Sequence, residues 1–456
     1  MKTKLFLFFS FIALQVNAQC WDKIASGAYH TVAIAGDGTL WSWGYNNSGQ
    51  LGDATLIDKN VPTKIGTDND WVAIGTGHYH SFGIKSNGTL WAWGYNNYGQ
   101  LGRGSNGNGT NLLSPTQIGT DTNWQSVTGG EFFTLATKTD GTLWSAGKNT
   151  NGQLGINNLT DQNVFQQVGT DTDWNKIACG RSHSLALKTN GVLYLWGANG
   201  GGQLGLTHTV DRRVPTVYAS SVAFTEIAGG ISSSIAIKSD GKMFRAGYGC
   251  PIPNSTYTMA EYIVSPADWK TVKIGNNFVV AIKTDGSMWV IGVNDYGQYG
   301  NPSFNQSTTF TQPTLNTGWA LNSSSLSVNY FGVLSLNSSG QLYGTGQNHV
   351  GQLGKGTTTN ASSFSAVSCP SSIVLSSDSF ESQNPVLIYP NPVLDVLTIS
   401  SSLDIQKLSV FDIAGKLVKT QNGNATTLAV NDLKSGFYFL EITIDGKSET
   451  KKFVKQ

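Results

Sequence analysis

The chain has 456 residues, of which 12% are charged and 54 are glycine. Charged residues are about half as frequent as in an average globular protein, and glycine weakens helix interiors, so this composition disfavours a helical protein. It favours many short strands joined by tight turns. The 29 basic and 28 acidic side chains nearly balance, which argues against nucleic acid or an anionic membrane surface as a partner.

The N terminus has the pattern of a secretory signal peptide. Lys2 and Lys4 precede an apolar run at residues 5–14, and small residues follow as far as Ala18. Because this run is too short to cross a bilayer, it is typical of a segment that is removed on export. We predict that residues 1–18 are the signal peptide and that no later segment is a transmembrane helix.

A repeat of about 50 residues recurs over residues 19–369. The aromatic residues that open the repeats are Trp21, Trp71, Trp124, Trp174, Phe224, Trp269 and Trp319. A Gly-Gln-Leu-Gly or Gly-Gln-Tyr-Gly motif closes the glycine-rich part of every repeat except the fifth. Repeats of this length with paired glycines and aromatics are typical of propeller blades.

Each repeat is predicted to contain four short strands. In the first repeat we expect them at residues 23–26, 30–34, 39–43 and 61–65, with Asp37-Gly38 as the hairpin turn between the second and third. Asp-Gly and Asn-Gly pairs supply the positive φ angles that such turns need. Seven repeats of four strands predict an all-β protein, a seven-bladed β-propeller whose closure removes exposed sheet edges.

The repeats that contain Trp-Gly-x-Asn-x-x-Gly-Gln-Leu-Gly, as at residues 43–52 and 93–102, resemble those of the regulator of chromosome condensation family. The resemblance implies a seven-bladed propeller that serves as a protein-binding platform. The founding member exchanges nucleotide on a GTPase, and a bacterial relative inhibits β-lactamases. Neither activity follows from the motif, because the motif specifies the blades rather than their contacts. The fifth and seventh repeats depart from the pattern.

Four cysteines are present in this exported chain. Cys20 directly precedes the first repeat and Cys369 follows the last. Because the chain ends meet in a closed propeller, we predict a Cys20–Cys369 disulfide, which would add about 4 kcal/mol of stability. Cys179 and Cys250 lie in neighbouring repeats. They either form a second bridge or pack as small apolar residues.

The composition changes after Cys369. Residues 370–386 are serine-rich and are predicted to be a linker, and residues 387–456 have the alternating pattern of a small β-sandwich. The residues that carry a resemblance in this segment are Tyr389, Pro390, Asn391, Pro392, Gly436, Tyr438, Lys451 and Lys452. They resemble the type A C-terminal sorting domain of type IX secretion in Bacteroidetes.

That resemblance implies export across the inner and outer membranes by the type IX secretion machinery. The chain would then be released or attached to the cell surface, usually after removal of the tail. The alternative is an ordinary immunoglobulin-like accessory module, because the fold alone does not fix the function.

Candidate catalytic and metal-binding patterns are weak. His30, His80 and His183 occupy one repeat position that Phe133, Ser233 and Phe278 fill elsewhere, which favours a packing role over metal binding. The acidic turns at residues 68–70, 121–123 and 171–173 are better explained as turn caps than as Ca²⁺ ligands. The asparagine of the Trp-Gly-x-Asn motif suits a left-handed turn. We predict no metal, no cofactor and no enzymatic activity.

The loops between strands one and two share a face with those between strands three and four, because successive loops of an antiparallel meander alternate between its ends. This face varies from repeat to repeat, whereas the hairpin face is uniform. The candidate binding residues on it are Tyr29, Tyr45, His78, Tyr79, Tyr95, Tyr98, Phe132, Lys148, Arg181 and Tyr296. Tyrosine-rich loops on a rigid scaffold are typical of binding surfaces. The alternative is that these rings pack between blades.

The sequence therefore predicts a monomeric, secreted or surface-held binding propeller that recognises a protein or a polysaccharide. Two alternatives remain open at this point. An exchange factor for a GTPase conflicts with the export signals, because its substrate would lie in another compartment. A hydrolase that uses the central channel needs a cluster of carboxylates or a metal site.

Overall fold

The computed structural model describes residues 20–219, 221–248, 258–262, 267–315, 318–369, 386–401, 404–412, 415–444 and 447–456. The predicted signal peptide, Cys250 and the predicted linker up to residue 385 lie outside the described residues. The chain divides into two compact units, Met1–Val374 and Leu375–Gln456.

The first unit contains seven four-stranded antiparallel sheets, each with its strands in chain order. The first sheet has β1 (Trp21–Ser26), β2 (His30–Ala35), β3 (Leu40–Gly44) and β4 (Lys59–Lys64). The second has β5 (Trp71–Thr76), β6 (His80–Lys85), β7 (Leu90–Gly94) and β8 (Leu112–Gln117). The third has β9 (Trp124–Gly129), β10 (Phe133–Lys138), β11 (Leu143–Gly147) and β12 (Gln162–Gln167). The fourth has β13 (Trp174–Cys179), β14 (His183–Lys188), β15 (Leu193–Gly197) and β16 (Arg212–Val217).

The remaining three sheets follow the same plan. The fifth has β17 (Phe224–Gly229), β18 (Ser233–Lys238), β19 (Met243–Gly247) and β20 (Ala260–Tyr262). The sixth has β21 (Trp269–Ile274), β22 (Phe278–Lys283), β23 (Met288–Gly292) and β24 (Ser307–Thr311). The seventh, preceded by a 3₁₀ turn at Ser323–Ser325, has β25 (Leu326–Val328), β26 (Gly332–Leu336), β27 (Leu342–Gly346) and β28 (Ala361–Ala366).

The sheets form a closed ring. The first strand of every sheet contacts the first strand of the next, and β25 of the seventh sheet contacts β1 of the first. The fifth and seventh repeats keep the four-stranded plan despite their divergent sequences. The predicted seven-bladed propeller is thus confirmed, and the sheets are called blades one to seven below.

The glutamine motif, which every repeat except the fifth contains, joins a blade to the next one. In blade seven the backbone carbonyl of Gln352 accepts hydrogen bonds from the Trp43 indole at 3.0 Å and the Thr31 hydroxyl at 3.2 Å, both in blade one. Gly354 lies against the same indole with φ +70, and a Cβ there would come within 2.8 Å of it. The carbonyls of Gln50 and Gln153 accept the corresponding pairs of bonds from blades two and four.

The predicted disulfide between Cys20 and Cys369 is present, with its Cα atoms 5.9 Å apart and a sequence separation of 349 residues. It joins the chain just before blade one to the chain just after blade seven. Cys179 is a free thiol, so the structure contains no second bridge at this residue.

The asparagine of the repeat motif was assigned the wrong role. Asn46 is fully buried and does not adopt a left-handed conformation, which among described non-glycine residues occurs only at Ala54, Asn157, Thr207 and Asn277. Its Oδ1 accepts a hydrogen bond from the Leu51 backbone at 3.0 Å, and its Nδ2 donates to Asp53 at 2.9 Å. The side-chain amide therefore holds the loop together from inside.

The acidic turns also have a different role from the turn caps expected. Asp121 forms an ion pair with Lys138 at 2.7 Å, and the ammonium group of this lysine lies over the rings of Trp124 and Trp144 at 4.7 and 3.9 Å. Lys85, Lys188 and Lys283 occupy equivalent positions between an acidic turn and two aromatic rings. These carboxylates are consequently paired with lysines inside their own blades.

The second unit is a small β-sandwich. One sheet has β29 (Leu387–Tyr389), β30 (Val396–Ser400) and β33 (Thr427–Ala429). The other has β31 (Ile405–Phe411), β32 (Leu417–Asn422), β34 (Gly436–Ile444) and β35 (Lys447–Lys455). Leu397 and Leu428 from the first sheet pack with Leu408 and Leu440 from the second in one buried core.

We expect Cys20→Ser/Cys369→Ser to lower the free energy of unfolding of the propeller by about 4 kcal/mol, because the bridge restricts a very long loop in the unfolded chain. Urea unfolding of the exported chain measures this. Cys179→Ser is the matched control, since it removes a thiol without breaking a bond. An unchanged midpoint in the double variant would show that the bridge is dispensable for closure.

Candidate binding face and central channel

Backbone hydrogen bonds fix the first-to-second-strand loops side by side around the mouth of the central channel. The amide of Ala28 donates to the carbonyl of His78 at 3.1 Å, and the amide of His78 donates to Gly130 at 3.1 Å. Across the junction of the ring, Tyr330 donates to Ala28 at 3.2 Å. Because these bonds run from blade to blade, side chains on neighbouring loops are held close together.

These loops and the third-to-fourth-strand loops carry a continuous arc of aromatic side chains, which we call the aromatic crescent. Its members are Tyr296, Phe331, Tyr330, Tyr29, Tyr45, His349, His78, Tyr79, Tyr95, Tyr98 and Phe132. It extends from blade six through blades seven, one and two to blade three. Every member except the exposed His349 is half-buried.

Ring contacts connect the crescent from end to end. The rings of Tyr296 and Phe331 are 4.9 Å apart, and those of Tyr330 and Tyr29 are 5.2 Å apart and perpendicular. At the far end the rings of Tyr98 and Phe132 are 4.9 Å apart. Edge-to-face and tilted pairs at these distances are favourable, so the rings support one another as a fixed surface.

His78 and Tyr330 form the polar centre of the crescent. The Tyr330 hydroxyl and Nδ1 of His78 are 2.9 Å apart and share a hydrogen bond. Burial lowers the pKa of His78 to about 4, so its imidazole is neutral at pH 7. Burial also raises the pKa of Tyr330, with the neighbouring Tyr79 as the next cause. This pair is therefore uncharged and suited to hydrogen bonding rather than to proton transfer.

Charged groups flank one end of the crescent. The ammonium of Lys148 lies 4.9 Å from the centre of the Tyr98 ring and 5.6 Å from that of Phe132. The Arg181 guanidinium forms two hydrogen bonds with the Glu131 carboxylate, at 2.8 and 3.1 Å. Arg181 is exposed, so this ion pair remains accessible to a partner.

The structure brings nearly all the predicted binding residues together. Seven of them lie in the crescent, where Tyr330 joins the Tyr29–Tyr45 pair to the other five. Lys148 lies over the end of the crescent, and Tyr296 joins through Phe331, whereas Arg181 is held in its ion pair with Glu131. Tyr330 and Phe331 were not among the predicted residues, because the seventh repeat is too divergent to align. The sequence feature that could have identified them is their position directly before the first residue of β26. The rings contact one another across blade boundaries and also keep exposed area. Packing between blades and a role in binding are therefore compatible.

The central channel is a cavity of about 470 Å³ lined by the first strands of all seven blades. Glu226 is the carboxylate among its described lining residues, and it pairs with Lys176 at 2.9 Å. Burial raises the pKa of Cys179, another lining residue, so its thiol stays protonated. These described lining residues include neither an activated nucleophile nor two carboxylates placed for acid–base chemistry.

The three aligned histidines do not form a metal site. His30 is fully buried, its Nε2 is 2.8 Å from the Ser81 hydroxyl of the next blade, and burial lowers its pKa to about 3. His80 and His183 make the same kind of contact with Thr134 and Ser234. Within the described ranges, no three His, Cys, Asp or Glu side chains are grouped so that they could hold a metal ion.

In the sandwich, the sorting-motif residues contact the last strand. Asn391 donates from Nδ2 to the Lys452 carbonyl at 3.0 Å and accepts from the Val454 amide at 2.9 Å. Tyr438 stacks on Phe453, and the Lys452 ammonium lies 4.2 Å from the Phe437 ring centre. The Tyr389 side chain is 52% exposed. No helix in the part of the chain that the structure describes is long and apolar enough to cross a membrane.

The fold and this face define a seven-bladed β-propeller with an aromatic loop surface, followed by a separate β-sandwich. The Regulator of chromosome condensation (RCC1) repeat matches residues 37–84, 87–137, 140–187 and 190–237, and a second description of that repeat matches 21–50, 71–100, 124–153 and 174–203. The Secretion system C-terminal sorting domain matches residues 387–456. The protein is an RCC1-repeat propeller with a type IX sorting domain, which implies export to the cell surface or beyond.

The protein is similar to two curated proteins of Arabidopsis thaliana. It is 32% identical over 145 residues to the ultraviolet-B receptor UVR8, which is 31% of this chain and 33% of the relative. It is 44% identical over 43 residues to the mitochondrial RCC1 domain-containing protein RUG3, which is 9% of this chain and 10% of the relative. The chain thus covers a third or less of these relatives.

Among solved structures, human WBSCR16 superimposes with a TM-score of 0.65 at 19% identity, covering 73% of this chain and 95% of that one. At this level of identity the similarity shows a shared fold.

Proposed function

We propose that this protein is an exported, non-catalytic binding module whose aromatic crescent docks onto a protein outside the cell. The observation that carries the proposal is the continuity of the crescent, in which half-buried rings from five blades meet on one face. Monomeric proteins rarely leave large contiguous apolar surfaces exposed without a partner. Tyrosine and arginine are also enriched among the residues that dominate protein interfaces.

The ring geometry favours a protein partner over a polysaccharide. In the Tyr29–Tyr330 and His78–Tyr330 pairs, the edge of one ring covers the face of the other. A sugar ring stacks best on an open aromatic face, whereas a protein side chain can insert between tilted rings. The accessible Arg181–Glu131 pair adds both signs of charge at the rim of the face, which suits a mixed protein surface.

The export signals and the channel chemistry support binding over the two alternatives. A sorting domain implies export of the propeller to the cell surface or beyond, where a GTPase with its nucleotide would not be the substrate. A hydrolase would need a pair of free carboxylates or an activated nucleophile, and the described lining of the channel offers only Glu226, already paired with Lys176.

We expect Tyr45→Ala/Tyr95→Ala/Tyr98→Ala to abolish capture of the extracellular partner with little change in thermal midpoint, because these half-buried rings lie at the outer rim of the crescent. Affinity capture from the native medium, followed by amide exchange mapping of the captured complex, measures this. Tyr248→Ala is the matched control, since its ring is 73% exposed and it lies outside the crescent.

Two outcomes would contradict the proposal. Capture that survives in the triple variant would place the binding surface elsewhere. A large drop in thermal midpoint together with loss of capture would mean that the three rings serve mainly to stabilise the fold.

Removing residues 387–456 is expected to prevent the propeller from reaching the medium or the cell surface, because the sorting domain then no longer engages the secretion machinery. Immunodetection in the periplasmic, surface and medium fractions measures this. The triple tyrosine variant is the control and should be exported like the original chain. Release of the truncated chain at the original level would show that the tail is a passive module.

A further inference from the structure

One residue of the central channel differs from its counterparts in all other blades. The equivalent positions are identified by pairing: Lys273 pairs with Val280, as Ala25 pairs with Val32 and Ala178 with Leu185. The residues at this level in the other blades are Ala25, Gly75, Thr128, Ala178, Ala228 and Ser327. All seven line the channel. Lys273 is therefore a single long cationic side chain in a ring of small ones.

No described residue forms an ion pair that balances the charge of Lys273. The other cations that line the channel are paired: Lys23 with Asp22 at 2.6 Å, Lys176 with Glu226 at 2.9 Å, and Arg181 with Glu131 at 2.8 Å. Lys273 has no hydrogen bond or ion pair with any described residue.

Two neighbouring charges act on Lys273, and their effects oppose each other. Glu226 favours its protonated form and Lys176 disfavours it, while burial lowers its pKa most strongly. Because Glu226 is already engaged by Lys176, it does not neutralise a second ammonium group. Lys273 is half-buried, and a cation partly withdrawn from water without a partner is costly, so this position favours an anion that enters the channel.

The channel wall can complete the surroundings of such an anion. The first strand of each blade lies at the edge of its sheet. One side of this strand pairs with the second strand, and the other side faces the channel and presents backbone N–H groups. The hydroxyl residues Thr128 and Ser327 lie at the same level as Lys273. The volume of about 470 Å³ is within the range that holds a small molecule or a short segment of chain.

We propose that the central channel binds a carboxylate, with Lys273 as its cationic partner. One unpaired ammonium matches the single negative charge of a carboxylate, whereas a phosphate dianion would remain half compensated. This site goes beyond the proposed function, because Lys273 lies inside the ring and is not a member of the aromatic crescent. The carboxylate comes either from a small organic acid or from the C terminus of a peptide chain that enters the channel.

Calorimetric titration of the exported full chain with sodium acetate, against sodium chloride at equal ionic strength, tests the proposal. Lys273→Ala is the informative variant, because alanine already occupies this position in three other blades and the fold accommodates it. We expect acetate binding to be weakened by about tenfold or more, since a charge-assisted hydrogen bond is lost. Lys273→Arg keeps the charge and should keep the binding.

Two controls make the result specific. Lys270→Ala removes an exposed lysine from the same strand and should bind acetate like the original chain. The triple tyrosine variant should also bind acetate normally, which separates failure of this site from failure of the proposed docking face. Acetate binding that is absent in the original chain, or unchanged in Lys273→Ala, would overturn the proposal.

Two glycine pentapeptides, one with a free C terminus and one amidated, distinguish the two sources of the carboxylate. Tighter binding of the free-acid peptide than of acetate assigns the channel to chain termini. Equal or weaker binding assigns it to small organic acids. Equal binding of the amidated and free-acid peptides, lost to the same extent in Lys273→Ala, would show that the carboxylate is not what the site recognises and would overturn the proposal.

Discussion

The closure of the ring is the constraint on which the rest of the structure depends. Each of the seven blades buries its faces against the neighbouring blades. The outer faces of the first and last blades would therefore stay uncovered if these two blades did not meet. Here the junction is formed by the Gln352 carbonyl, which accepts bonds from Trp43 and Thr31, and by the Cys20–Cys369 bridge. The aromatic crescent crosses this same junction, where Tyr330 of blade seven contacts Tyr29 of blade one. Closure therefore shapes the binding face as well as the core.

The propeller separates two kinds of surface chemistry. On the loop face, burial keeps His78 neutral and Tyr330 protonated, so the crescent offers shape, apolar area and neutral hydrogen bonds rather than charge. Inside the ring, Lys273 is a cation among small residues and has no ion-pair partner in the part of the chain that the structure describes. Because the chain as a whole is nearly neutral, this local charge is not part of a broad electrostatic field. The face and the channel thus present different chemistry to a ligand, and His78 and Tyr330 lie where the two surfaces meet.

Most of the fold could be predicted from the sequence, because the same strand and turn patterns recur in several repeats. The hairpin turns illustrate this: Gly38 has φ +79, the positive angle expected after Asp37. Some predictions were wrong where a side chain forms hydrogen bonds inside the blade. The side-chain amide of Asn46 is an example, because a sequence pattern does not show which groups it bonds to. The pairing of acidic turns with lysines such as Lys138 was missed because its partners lie 17 residues apart.

Many of the residues on the candidate face could be predicted from the sequence, but the contacts between them could not. Comparing repeats indicated which loops vary, and Tyr29, Tyr79 and Phe132 follow from that comparison. Tyr330 and Phe331 did not, since the seventh repeat no longer aligns. The unusual position of Lys273 could not be predicted either. Its counterparts in the other blades are identified only by the strand pairing, which defines a common level in the channel.

Amide hydrogen exchange on the exported chain, alone and in complex with its captured extracellular partner, tests the central claim most directly. If the crescent is the docking surface, the partner should protect the loops around residues 28–29, 78–79, 95–98 and 330–331, in blades one, two and seven together. The hairpin turns on the opposite face should exchange as before. Protection confined to those hairpin turns or to the C-terminal sandwich would contradict the account.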